Sequence, residues 1–112
     1  MNEKLLKLAV SLTEATERGQ VNWDATLSDV FRASVGKGYV TVSERFDPEL
    51  DNPIIHTLQV TDNKGRVVEL ADYNTNHNDI LDAAKALYMA ARRSALNSSS
   101  IVDDMLAAIG GK

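Results

Sequence analysis

Phe31-Arg32-Ala33-Ser34-Val35-Gly36-Lys37-Gly38-Tyr39-Val40-Thr41-Val42 is the stretch that decides the fold. Phe31, Ala33 and Val35 alternate with Arg32 and Ser34, and Val40, Val42 and Phe46 alternate with Thr41, Ser43 and Arg45. A period of two places one set of side chains on a core and the other in water, so both runs read as half-buried strands. Gly36-Lys37-Gly38 between them reads as a three-residue turn with two conformationally permissive positions. The stretch therefore predicts an antiparallel hairpin.

The same period continues toward the C-terminus. Asp47-Pro48-Glu49-Leu50-Asp51-Asn52-Pro53 interrupts it, because neither proline has an N–H for a ladder. Ile54, His56, Leu58 and Val60 then share one face, and Ile55, Thr57, Gln59 and Thr61 the other. Asp62-Asn63-Lys64-Gly65 is a strong turn signal, with Gly65 suited to positive φ. Arg66 to Ala71 follows as a strand with Val68 and Leu70 expected on the core side. The centre of the chain thus predicts a four-stranded antiparallel meander whose apolar face needs a cover. Asp24 to Asp29, polar and small, reads as a connector.

The covers are helices. Leu5, Leu8, Ala9, Leu12 and Ala15, widened by Leu6, form one stripe at a period near 3.6, predicting a helix over Leu5–Gln20. Asn2 can cap its start, Glu3 suits the positive end of its dipole, and Gly19 is a left-handed stop. Ile80, Ala84, Leu87, Ala91 and Ala95, extended by Tyr88, predict a second helix over Ile80–Leu96, with alanines that allow close approach to the sheet. Asn97-Ser98-Ser99-Ser100 breaks the run, and Ser100 with Asp103 resembles a capping box. Val102, Met105, Leu106 and Ile109 then make a short amphipathic helix that Gly110-Gly111 ends. The predicted fold class is α+β, a single domain over residues 1–112 in the order α-β-β-β-β-α-α.

Composition narrows the function. With 112 residues the chain can bury one core without staples. It has no cysteine, which excludes disulfides and thiolate metal sites and fits a reducing cytoplasm. Twelve Lys and Arg against 16 Asp and Glu leave a formal charge of −4, which argues against nonspecific nucleic-acid binding. Lys7 and Glu14 interrupt the N-terminal apolar stretch, so no targeting segment is expected, and no run reaches the length of a membrane span. A cytoplasmic protein without membrane contact is the expectation.

Few residues point to chemistry. His56 falls mid-strand and His77 at a helix start beside Asp79, and two lone histidines do not make a zinc set. No metal or other cofactor is expected. Asp79 with Asp82, and Asp103 with Asp104, sit in first helical turns, where the dipole already favours anions. Gly36-Lys37-Gly38 lacks the spacing and context of a phosphate loop, and Ser98 to Ser100 have no base at readable spacing. Trp23, the only tryptophan, reads as closing one end of the core near Tyr88 or Phe31, with a binding hot spot as the alternative. Arg92 and Arg93 could make an anion site together with Arg32 or Arg45.

The helix ending Thr16-Glu17-Arg18-Gly19-Gln20-Val21-Asn22-Trp23, the meander with its Asp-Asn-Lys-Gly turn, and Leu87-Tyr88-Met89-Ala90-Ala91-Arg92-Arg93-Ser94-Ala95 resemble a group of small uncharacterised bacterial and phage-associated proteins. The resemblance implies a stand-alone or accessory α+β domain acting through binding and assigns no catalytic residue. The sequence as a whole points away from an enzyme. Its leading reading is a protein-interaction module that meets a protein partner or self-associates as a homodimer through Val102, Met105, Leu106 and Ile109. The alternative is a small-ligand or nucleotide-binding protein with a site lined by Arg32, Arg45, Arg92 and Arg93.

Overall fold

The computed structural model describes residues 3–27, 29–49, 53–73 and 78–110, without the side chains of 73, 78–82 and 98–100. The fold is α+β, with three helices and a five-stranded antiparallel sheet among the described residues. The order is α1 (Glu3–Glu17), β1 (Asp24–Leu27), β2 (Val30–Val35), β3 (Gly38–Phe46), β4 (Ile54–Thr61), β5 (Val67–Tyr73), α2 (Asn78–Leu96) and α3 (Ser98–Gly110). Strand order follows chain order, a pure meander. The strand the sequence reading missed is β1: all four of its side chains are exposed, so it carries no alternation to read.

Register explains which residues form the core. Phe31 pairs with Val42 and Ala33 with Val40, and across the next ladder Val42 meets Leu58 and Val40 meets Val60. Directly paired residues share a face, so these six make one apolar surface. α2 lies on that surface, touches all five strands, and buries Ala84, Leu87, Tyr88, Ala90 and Ala91. α1 packs along α2 through Leu5, Ala9, Leu12 and Thr16.

The helix ends follow local chemistry. The N–H of Gly19 donates to the Thr16 carbonyl at 3.0 Å and that of Gln20 to the Ala15 carbonyl at 2.9 Å, with Gly19 at φ +75°. This is the paired bonding of a Schellman stop, in which the left-handed residue costs glycine nothing. The expected cap at Asn2 lies outside the described residues. Between α2 and α3, Asn97 takes φ +51°, a conformation asparagine tolerates better than other non-glycine residues. α3 begins directly after it, which places Ser100 inside the first turn and not at the cap.

Three expectations in the sheet are corrected. Val35 pairs with Gly38, so the first turn has two residues, with positive φ at Gly36 and not at Lys37, the pattern of a type II′ hairpin. Phe46 keeps the parity of Val42 but lies past the end of the core and is 64% exposed. In β5, Leu70 pairs with Gln59 and is 59% exposed on the open face, while Ala71 takes the place opposite Leu58. Val68 is the extra residue of a bulge between the Thr61–Val67 and Val60–Glu69 pairs. It lines a shallow cleft with Leu8, Val35, Val40 and Val60 and remains half exposed.

The β4–β5 turn is held by one carboxylate. Asp62 Oδ1 accepts the backbone N–H groups of Lys64 and Arg66, both at 2.9 Å, and Oδ2 accepts Arg66 Nε at 2.8 Å. The Arg66 backbone N–H, more than any other group, holds the Asp62 pKa below its ordinary value, helped by the Lys64 N–H and the Arg66 side chain. A depressed carboxylate stabilises the fold above its unfolded pKa and loses that contribution as pH falls through the folded value. Asp62→Asn should therefore lower the melting temperature at pH 7 and leave a shallower loss of stability between pH 4 and pH 2. A variant whose acid limb matches wild type would disprove this role.

Candidate functional site

Two places concentrate the chemistry that the fold leaves unabsorbed. The first is a polar cluster at one end of the core. Glu44 on β3 pairs with His56 on β4, and Glu44 Oε2 lies 2.9 Å from His56 Nε2. His56 is 3% exposed, so the partly buried strand residue expected from sequence is fully enclosed. Its Nδ1 is buried without a hydrogen-bond partner among the described residues. The His56 ring meets Tyr88 at 5.2 Å in a tilted arrangement, and Tyr88 in turn meets Phe31 at 5.6 Å. Asp29, in the β1–β2 turn, lies near enough to Tyr88 to favour its protonated form. Burial first, then the negative charges of Glu44 and Asp29, push the Tyr88 pKa up, and Arg92 opposes them.

A tyrosine whose pKa is pushed up stays protonated at neutral pH, and His56 meets Glu44 through Nε2 while its Nδ1 stays buried. The arrangement links β3 to β4 through Glu44 and His56 and sets Tyr88 of α2 against the His56 ring. Sequence reasoning missed it because Glu44 and His56 are twelve residues apart and meet only through register.

The second place is α3. Every residue from Ile101 to Gly110 is exposed, and α3 touches only α2 among the other elements. Ile101, Val102, Met105, Leu106 and Ile109 lie along one side of it, with exposures running from 47% at Ile101 to 86% at Ile109. Where α3 leaves α2, a cleft runs between the two helices and the end of α1, lined in part by Thr16, Asn22, Arg93, Asn97, Val102 and Asp103.

The four arginines do not line one site. Arg32 and Arg45 have the parity opposite to Phe31 and Val42 and project from the open face of the sheet. Arg32 stacks 3.9 Å over the Tyr39 ring, and Arg45 reaches Asp72, which also accepts the Thr57 hydroxyl. Arg92 and Arg93 belong to α2, on the covered side of the same sheet. An anion bridging the two pairs would have to pass through the sheet. The four arginines therefore form two separate pairs, one on each side of the sheet.

Trp23 is buried and belongs to the core cluster, so the hot-spot alternative for it is set aside. Asp103 and Asp104 are exposed on α3. His77 and the side chains of Asp79 and Asp82 lie outside the described residues. Among the described residues no three His, Cys, Asp or Glu converge as a metal set, and no helix is long and apolar enough to cross a membrane. No protein-family model, curated protein or solved structure matches the chain.

Proposed function

We propose that the chain is a non-enzymatic protein-interaction module whose docking element is α3, acting on a protein partner or on itself as a homodimer. The observation that carries this reading is the exposure of Ile101, Val102, Met105, Leu106 and Ile109 together on one side of one helix. Exposed apolar side chains gathered on one side of a helix are a feature of surfaces that meet another molecule. A helix of about thirteen residues is also marginal alone in water, so its stability has to come from what it docks against. The resemblance to small bacterial and phage-associated proteins fits an accessory module of this kind.

Sedimentation velocity on wild type and on the Met105→Asp, Ile109→Asp double variant tests the reading. The variant places two unpaired carboxylates in the patch and should weaken association by about 30-fold or more, the effect of losing a hot spot. Its far-UV spectrum and the melting of the sheet should stay those of wild type. If instead the variant unfolds as a monomer, α3 belongs to the chain's own core and the reading is wrong.

A further inference from the structure

We infer that the cleft at the hairpin end of the sheet is a binding site for a small aliphatic monocarboxylate, its chain against the valines of the cleft and its head group at Lys37. The site shares no lining residue with α3 and does not rest on the reading of that helix.

The cleft exists because the covered face runs short of side chains. The rows Phe31–Val42–Leu58 and Ala33–Val40–Val60 each supply three apolar groups. The next row pairs Val35 with Gly38, which has no side chain to offer. Asp62, just past the end of β4, turns its carboxylate to the Lys64 and Arg66 N–H groups instead. A volume of about 340 Å³ is left between α1 and the two hairpin tips, lined by Leu8, Val35, Val40, Val60 and Val68. Val68 is the residue that the bulge in β5 adds, and the bulge aims it at the cleft.

Size and charge select the occupant. At the roughly 30 Å³ that a small group occupies in a liquid, the cleft holds about ten non-hydrogen atoms. Small-molecule sites of this size are mostly apolar, with a few polar groups that fix orientation. Two charged residues line the cleft, Lys37 and Asp62. Asp62 is already matched by Arg66 at 2.8 Å, whereas Lys37 makes no ion pair among the described residues. The uncompensated charge is therefore positive. It sits on a flexible stem that can lie along apolar surface while its ammonium meets a carboxylate. An alkylammonium of the same length would be repelled.

The test is a ¹⁵N chemical-shift titration of wild type at low salt with butanoate, hexanoate, octanoate and decanoate, and with octan-1-ol as the uncharged counterpart of octanoate. Amide shifts should saturate and centre on Val35, Gly38, Val40, Val60 and Val68. Affinity should rise about fourfold per added methylene as far as octanoate and level off at decanoate, once the cleft is full. Octanol should bind about threefold more weakly, the worth of an exposed ion pair, and Lys37→Gln should remove that difference. Val68→Trp, at a half-exposed position, should fill the cleft and abolish saturable binding while keeping the thermal transition.

Shifts spread along α3 and not around the cleft would mean that aliphatic chains merely coat that helix, and would overturn the site. Octanol binding as tightly as octanoate would overturn the carboxylate as head group. No saturable binding of any of the acids would overturn the inference outright. The shift map and Lys37→Gln, on an exposed turn, decide the matter even where Val68→Trp does not fold.

Discussion

Trp23→Ala lowers stability by about 3–5 kcal/mol, the cost of deleting a large aromatic from a packed core. Trp23 lies between the end of α1 and the start of β1 and is 4% exposed within the cluster that also holds Leu12, Phe31, Leu87 and Tyr88. Its indole N–H donates to the Thr16 hydroxyl at 2.9 Å, and Thr16 is itself buried in the last turn of α1. The single side chain therefore fills volume and fixes where the chain turns after the Gly19 stop.

The two contributions separate by substitution. Trp23→Phe keeps most of the ring and loses the donor, and Thr16→Val keeps the shape and orphans the indole N–H, each at about 1–3 kcal/mol for a buried group left unpaired. Denaturant unfolding of the two single variants and the double variant closes a cycle, in which the double should cost less than the sum. Emission of this lone tryptophan should be blue-shifted and little quenched by iodide. A red, freely quenched spectrum with unchanged stability in Trp23→Ala would return the residue to the surface.

How much of this was legible in advance depends on whether a residue answers to its own segment or to another one. Leu5, Ala9 and Leu12, and Ala84, Leu87 and Ala91, repeat at helical spacing because each helix buries one side, and the structure buries those residues. Phe31, Ala33, Val40 and Val42 alternate for the corresponding reason in a sheet. β1 was illegible because an exposed edge strand needs only backbone pairing to β2, and Asp24-Ala25-Thr26-Leu27 shows none of that in its side chains. Leu70 was misplaced because the bulge at Val68 shifts the parity of β5 by one residue, and a bulge leaves no mark in an apolar run.

The candidate sites divide in the same way. The apolar side of α3 was readable from Val102, Met105, Leu106 and Ile109; that nothing in the described chain covers it was not, since an amphipathic helix looks the same whichever molecule it docks on. The Glu44–His56 pair and the separation of Arg32 and Arg45 from Arg92 and Arg93 are products of register and layering. Both become derivable once the strand order and the position of α2 are known.

Gly38→Ala lowers stability by about 3 kcal/mol, at the upper end of what forced overpacking costs. Gly38 opens β3, where it pairs with Val35 at the mouth of the hairpin. A methyl group there meets the Thr61 carbonyl oxygen well inside van der Waals contact, and the Asp62 Cα lies only 3.6 Å away. The clash is with the backbone oxygen of Thr61, while the Asp62 Cα stands at ordinary contact distance, so no side chain can rotate aside to relieve it. Relief has to come from moving the end of β4, whose Thr61 pairs with both Tyr39 and Val67 and precedes the Asp62 turn.

Gly36, two residues earlier, is the control. Its Cβ would meet open space, but its φ of +57° is left-handed, so Gly36→Ala carries only the conformational cost of about 1–2 kcal/mol. Gly36→Asn, which tolerates that conformation, should recover part of the loss, whereas no substitution at Gly38 should. Chemical denaturation of the three variants decides it. Equal costs at the two positions would mean that β3 and β4 are not held as closely as the structure has them, and the register that separates the covered face from the open one would need to be redrawn.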